Sequence, residues 1–486
     1  MQASSDITFE AKSLIKLAMP IIMALTLTCL MSVIDTVMAG QVSAQDLAAV
    51  SIGAALWNLL FLTMTAILMA LTPQIAKFNG QQKFDVILDW LSGSRWFALG
   101  LSALFLMLGK LGIDLIHLLN AHPTTSKLAA NYLGFILIGL PASALFQVHK
   151  SLSEGNGITR HVLIITTGAV LLNIPLNYLF IHGWSLSNGI ELIPALGGAG
   201  CGLASAIIFW ISLLGLIVIQ KKDKQLIEKV GFQKTNNTQK ELSFSWKIPD
   251  NQKQVSLQLI KIGVPIGLAI LAEASVFTYI PLVIAHLGEI QVASHQIALN
   301  VCSVMFMVPL GMSQAITVRT GYQLGRKDFN LAKIVSRTGI GLAFLFGIFS
   351  LTLIMLNSEN IPVLYTDDKN VLVLASSLLI LAALFQLFDT VQITAAGALR
   401  GYQLTTIPMI LTILAFWAIA IPVGYILGLE SEVRSALENH LTLPDPMGVK
   451  GFWYALIAGL SANGLLQLSY LFYVQKYKFN AEPKPV

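Results

Sequence analysis

Three acidic residues stand deep inside long apolar runs: Asp35 in MSVIDTVMAG, Glu273 in GLAILAEASVFTYIPLVI and Asp389 in LFQLFDTVQITAAGALRG. A carboxylate at such a depth in hydrocarbon needs a wet cavity, a partner or a proton. Glu273 lies twelve residues beyond Lys261, roughly 18 Å at helix rise, and Asp389 eleven before Arg400, roughly 16 Å. The two acids are therefore expected at similar depth, while Asp35 sits nearer the far end of its run. Paired buried carboxylates repel, which favours sharing a proton or holding a cation between them. Their oxygens, with hydroxyls from Thr278, Thr390 and Thr394, suit a hard cation such as Na⁺. The plainer alternative is a neutral acid bonded to a backbone carbonyl for packing specificity.

Asn173 and Asn177 are spaced i, i+4 on one helix face with Pro175 between them. Proline frees a backbone carbonyl that can serve a cavity; an interhelical clamp fits the same spacing equally well. His149, His161, His286 and His295 fall near the ends of apolar runs and read as interfacial. Cys29, Cys201 and Cys302 lie far apart inside such runs and read as packing residues. There is no GxxxxGK[ST] phosphate loop, HExxH, GxSxG or zinc spacing. These absences favour a gradient-driven carrier over a pump or a membrane enzyme.

The elements that must position these residues follow from composition. The chain has 486 residues, 55% of them hydrophobic and 11% charged, with mean hydropathy +0.73. A soluble domain carries about 25% charged residues, so this is an all-α polytopic membrane protein. Apolar segments fall near 13–36, 47–71, 91–113, 126–149, 161–182 and 195–220, then near 256–284, 293–318, 335–356, 371–397, 405–428 and 450–475. The second set echoes the first: IKIGVPI at Ile260 repeats IKLAMPI at Ile15, and GRKDFN at Gly325 repeats GQQKFD at Gly80. At that offset Thr28 stands where Glu273 stands. The expected domains are a six-helix bundle over 1–220, a cytoplasmic linker over 221–254 and a second bundle over 255–486. Six spans being even, the repeats run parallel.

The net charge of +5 does not signal nucleic acid, because Lys and Arg collect on one side of the membrane. Only Lys110, Lys127, Lys369, Arg434 and Lys450 fall in connections after odd-numbered spans. The positive-inside rule then places both termini and the linker in the cytoplasm. The first span is too long for a signal segment and is expected to be retained.

Ordered motifs along nearly the whole chain resemble the multidrug and toxic compound extrusion (MATE) family in its NorM-like bacterial branch. They are LAMPIIMALTLTCLMSVIDTVMAG, TPQIAKFNGQ, NIPLNYLFIHG, GGAGCGLASA, QIALNVCSVMFMVPLGMSQAITVRTGYQLG and GALRGYQLTTIPM. The resemblance implies two pseudo-symmetric six-helix bundles forming a central cleft. It also implies export of organic cations and amphiphilic drugs in exchange for inward Na⁺ or H⁺, without a cofactor. Carried over residue by residue, Glu273, Asp389 and Asp35 become the cation-coupling acids, with Glu273 and Asp389 the candidate Na⁺ ligands. Asn173, Asn177, Phe385 and Tyr279 become substrate-cavity candidates. Phe385 stands where some NorM-like members are expected to carry a tyrosine, which removes a hydroxyl ligand and leaves the ion open. A monomer in the inner membrane of a bacterium is expected. Two alternatives stay open: a lipid-linked precursor flippase of the same superfamily, and a polytopic membrane enzyme.

Overall fold

The computed structural model describes residues 2–118, 122–185, 191–231, 248–430, 434 and 445–479. Helices dominate because an apolar chain in lipid must satisfy its backbone groups within each segment. The first set is α1 (Gln2–Val42), α2 (Ala44–Leu68), α3 (Leu71–Gly80), α4 (Phe84–Leu118), α5 (Pro123–Leu137), α6 (Leu140–Gly155), α7 (Arg160–His182) and α8 (Gly200–Lys222). A short α9 (Lys224–Gly231) follows. The second set is α10 (Gln252–Ile284), α11 (Glu289–Gly325), α12 (Phe329–Leu356), α13 (Asn360–Val363), α14 (Lys369–Gly401), α15 (Thr406–Ile413), α16 (Ile421–Gly428) and α17 (Val449–Tyr477). Among the described residues, 11 helices are long and apolar enough to cross a membrane, or 12 if the bent pair α5 and α6 counts as one span. Each falls on one of the twelve expected segments. A two-stranded antiparallel ribbon pairs Trp184–Ser185 with Glu191–Ile193.

The fourth span departs from a straight helix, bending by 43° between α5 and α6. Pro141 in the first turn of α6 supplies no amide hydrogen to the preceding turn, so the helix restarts there. Gly139 at the break admits Ala206 of α8 so closely that a Cβ would lie 2.8 Å from its Cα. The eleventh span also deviates. Between α15 and α16, Leu414–Ala420 winds as a π-helix just before Pro422.

The repeat is visible in the backbone itself. Gln82, Gly157, Lys327 and Gln403 all adopt left-handed φ, at 57°, 75°, 62° and 62°. Each is closed by the same pair of hydrogen bonds, in which the next residue's N–H reaches a carbonyl five positions back: Lys83 to Phe78, Ile158 to Ser153, Asp328 to Gln323 and Leu404 to Leu399, at 2.9–3.0 Å. This is the Schellman closure of a helix. Lys327 stands 245 positions after Gln82, and Gln403 246 after Gly157.

The chain forms two compact units, but their boundary differs from the expected one at the linker. One unit is Met23–Gly267; the other is Met1–Ile22 with Leu268–Val486. The beginning of α1 thus belongs with the second set of helices, and the beginning of α10 with the first. Packing gives the reason. A Cβ on Gly263 would overlap the Ile67 carbonyl oxygen, so α10 and α2 touch backbone to backbone there. Gln252 donates to the Gly93 carbonyl at 3.1 Å. In the other unit, a Cβ on Gly311 of α11 would lie 2.5 Å from the Ile22 side chain.

Three of the four histidines expected at the interface, His149, His161 and His295, are instead buried, while His286 is exposed. His149 Nδ1 meets Gln220 Oε1 at 2.6 Å, Gln220 Nε2 donates to Ser153 Oγ at 2.8 Å, and Ser153 Oγ meets His161 Nδ1 at 3.1 Å. His161 Nε2 then reaches Asp223 Oδ2 at 2.6 Å. Asp223 also caps α9, accepting from the amides of Gln225 and Leu226, and it pairs with Arg160 at 2.6 Å. Partial burial would raise its pKa, yet these hydrogen bonds hold it down at about 2. The linker therefore begins as a helix, with Leu226 fully buried; residues 232–247 lie outside the described residues.

Candidate functional sites in the two units

In the unit Met23–Gly267, three helices converge on Asp35. The Nδ2 amides of Asn173 and Asn177, on α7, donate to Asp35 Oδ1 at 2.8 and 2.6 Å. Ser205 of α8 donates to Oδ2 at 3.1 Å. Asn177 Nδ2 also reaches Asn173 Oδ1 at 3.2 Å, which fixes both amide planes. The Cys201 thiol lies 3.7 Å from the Asp35 carbonyl. Asp35, Asn173 and Asn177 are all buried. Asn173, Asn177 and Ser205 all meet the Asp35 carboxyl as neutral donors, an arrangement that suits a carboxylate. The i, i+4 asparagines therefore form a clamp, and what they clamp is the acid. Ser205 is the member that sequence reasoning missed. Its signal was the small-residue run GGAGCGLASA, where a lone hydroxyl faces the acid.

In the other unit, Glu273 of α10 and Asp389 of α14 lie within electrostatic reach of each other. Asp389 is buried, Glu273 half-buried. Among the described residues Asp389 Oδ1 accepts no hydrogen bond, and the fully buried Gln386, one turn earlier on α14, neither accepts one at its amide oxygen nor donates one from its amide nitrogen. Arg400, expected at the membrane boundary, is instead buried, with its charge acting on Glu273. Its Nη2 donates to Ser313 Oγ at 2.7 Å. Sequence reasoning used Arg400 only as a depth marker and passed over Gln386. Thr390 and Thr394 donate to the carbonyls of Gln386 and Thr390 at 2.8 and 2.6 Å, which leaves their oxygens free to accept. Thr278 is exposed and bonded to the Ala274 carbonyl.

The aromatic candidates differ from each other. Phe385 is enclosed, edge-to-face with Phe277 and Trp453 at centroid distances of 6.0 and 5.7 Å. Tyr279 is half-buried, its hydroxyl 2.8 Å from that of Tyr425 and its ring 5.8 Å from Trp417. Trp417, carried by the π-helix, donates to the Ala272 carbonyl and Ser275 Oγ, both at 3.2 Å, and so holds the turn that carries Glu273. Among the described residues there is no group of three or more His, Cys, Asp or Glu side chains able to hold a metal ion. Any cation at the acid pair would complete its shell with hydroxyl, amide or carbonyl oxygen.

The family profile MatE matches residues 20–179 and 265–426, the two halves of the repeat. Similar relatives include a "Probable multidrug resistance protein NorM" of Shewanella oneidensis, 37% identical over 97% of this chain and 96% of that protein. "Multidrug resistance protein MdtK" of Photorhabdus laumondii is 34% identical over 96% of each chain. "Multidrug resistance protein PmpM" of Pseudomonas aeruginosa is 35% identical over 94% of this chain and 90% of its own. The fold matches the eukaryotic MATE transporter AtDTX14, with TM-score 0.82 at 15% identity over 98% of this chain and 99% of that one. It also matches an outward-facing multidrug resistance MATE family transporter, with TM-score 0.80 at 18% identity over 97% of each. With the profile filling both halves and relatives above 30% identity across nearly their whole length, this chain belongs to the MatE family.

Proposed function

We propose that this protein is a secondary multidrug efflux transporter that exports organic cations and amphiphilic drugs in exchange for inward Na⁺ or H⁺. The observation that carries the reading is that Glu273 and Asp389 lie within electrostatic reach of each other inside a membrane-spanning unit, beside oxygen atoms left without hydrogen-bond partners among the described residues. A cation supplies what such a pair lacks. Relatives named for multidrug resistance support the substrate class. A carboxylate beside half-buried aromatic side chains satisfies both the charge and the apolar surface of a lipophilic cation.

Exchange requires a difference in affinity: ion and drug must each favour a different state, or neither moves the other. The two acid sites provide different chemistry for this. Asp35 is ringed by neutral donors, whereas Glu273 and Asp389 repel each other and Glu273 answers to Arg400. In this reading the protein acts as a monomer in a bacterial inner membrane with both termini cytoplasmic. It binds no nucleic acid.

Purified protein in liposomes tests the proposal. Efflux of a fluorescent organic cation is followed under an imposed Na⁺ gradient and a pH gradient separately, for wild type, Glu273→Gln and Asp389→Asn. Drive by one gradient, lost in both variants, identifies the coupling ion and its site. Wild type that moves no drug under either gradient sinks the antiport reading. Full transport in both variants moves the coupling site to Asp35.

A further inference from the structure

Thr412 of α15 and Asn463 and Gln467 of α17 form a closed polar triangle inside the unit of Met1–Ile22 and Leu268–Val486. Asn463 Nδ2 and Gln467 Nε2 donate to Thr412 Oγ1 at 3.2 and 3.3 Å, and Gln467 Nε2 also donates to Asn463 Oδ1 at 2.9 Å. All three side chains are buried. These bonds fix the Gln467 amide, because turning it over would set its oxygen against Asn463 Oδ1, acceptor against acceptor. Gln467 Oε1 is then held in the interior with no hydrogen-bond partner among the described residues. A buried amide oxygen without a donor keeps its desolvation cost, and a leucine would pack the same place without it.

The unmet oxygens continue onto α14. A Cβ on Gly464, which follows Asn463, would lie 3.7 Å from both Gln392 Cβ and the Phe388 carbonyl oxygen. At this point α17 therefore packs on the turn of α14 that carries Asp389. Gln392 is buried, and its Oε1 also lacks a partner among the described residues. Asp389 stands three residues earlier, a neighbour on the helix surface, and its Oδ1 is in the same condition. One helix contact thus gathers three buried oxygens, on Asp389, Gln392 and Gln467, each an acceptor and none supplied with a donor. An all-oxygen set of this kind suits a hard monovalent cation, whose retained waters bridge to the oxygens it does not touch.

We propose that Gln392 and Gln467, with Asn463 and Thr412 fixing the latter, form an uncharged subsite beside Asp389 that takes a partly hydrated Na⁺. The subsite deepens the antiport reading and rests on it for its role in transport. An ion leaving the acid pair exchanges part of its shell for neutral oxygens before it rehydrates in full. Passage needs binding strong enough to admit the ion and weak enough to release it, and neutral oxygens meet the second condition better than carboxylates do.

The test uses the full-length protein purified in detergent and Na⁺ alone as the probe, read as binding of radiolabelled Na⁺ with choline holding the ionic strength constant. Gln467→Leu and Gln392→Leu should each lower Na⁺ affinity at least threefold. Gln467→Glu should raise it at least threefold, since it sets a negative charge beside the ion; an amide with a purely structural role predicts no such gain. Where Gln467→Leu does not purify folded, Gln467→Met makes the same comparison, because it keeps the length and loses the amide. A Gln467→Glu protein that binds Na⁺ no tighter than wild type overturns the proposal, as does a Gln467→Leu protein that binds it equally well. Gradient-driven drug efflux by a protein whose Na⁺ affinity ignores these positions removes the subsite alone. Wild type that shows the expected binding pattern yet moves no drug in liposomes removes the antiport reading alone.

Discussion

Asn177 holds Asp35 through an amide hydrogen bond of 2.6 Å, and Asn173 adds a second to the same carboxylate oxygen. Asn177→Leu keeps the approximate volume but removes the shorter bond. Losing a hydrogen bond to a buried charged group is expected to cost about 1–3 kcal/mol. Thermal unfolding in detergent should register that loss, and drug efflux should fall at least tenfold. A variant as stable and active as wild type would remove the clamp from the working machinery.

Arg400 acts on Glu273 as a built-in cation, so in the proposed exchange it would compete with an ion for that acid. Arg400→Gln should raise the affinity of the pair for its coupling ion, lowering the half-saturating ion concentration roughly three- to tenfold, about 0.7–1.4 kcal/mol. The maximal rate should fall, because the ion then leaves more slowly. Ion titration of efflux gives both numbers. A weaker ion response would show that Arg400 supports the site rather than competing with it.

Lys327 is exposed and held at φ 62°, a conformation that strains any side chain bearing Cβ. Lys327→Gly relieves that strain but frees the unfolded chain, for a net gain of about 0.5 kcal/mol. Gly157 has the matching conformation and open space around it, so Gly157→Ala loses about 1–2 kcal/mol from backbone strain alone. The two should shift the melting temperature in opposite directions.

Asp223 offers a pH test outside the spans. Its folded pKa of about 2 lies below the ordinary value of 3.8, so its contribution to stability is complete above pH 4 and fades as pH falls toward 2. Asp223→Asn should therefore lower the melting temperature at pH 7, with the gap from wild type narrowing in acid. A gap that stays constant from pH 7 to pH 3 would assign the effect to the α9 cap geometry instead.

Gly263→Ala should destabilise the unit Met23–Gly267 by about 2 kcal/mol or more, because the new methyl meets a main-chain carbonyl that cannot rotate away. Yield of folded protein after detergent extraction is the simplest measure.

The spans were legible in the sequence because hydrocarbon imposes one rule on every residue of a segment, and length with apolarity states that rule directly. Counting turns from Lys261 and Arg400 paired Glu273 with Asp389, although Arg400 is itself buried and marks no boundary. Counting could not supply Ser205 or Arg400, since their importance depends on which helix faces which. The asparagine pair illustrates the limit well. Its i, i+4 spacing revealed a shared face but not that the face is turned to Asp35. The unit boundary was hidden for a related reason: α1 and α10 read as single apolar runs, and nothing in a run marks where its packing partner changes. The break at Gly139 and Pro141 was signalled by residue type, but an apolar window spans it without a dip.

The four left-handed turns also bear on ancestry. Only one of them is glycine, yet all four keep the same closure at the same spacing, while Asp35, Glu273 and Asp389 have no acidic counterparts in the opposite half. A half-length ancestor whose gene doubled would have carried two such turns, and both descendants keep them. The halves have drifted apart at these three acids and have stayed alike where the chain reverses. Main-chain geometry is thus the more durable record of the duplication, and it outlasts the side chains by which a comparison of the halves would ordinarily be made.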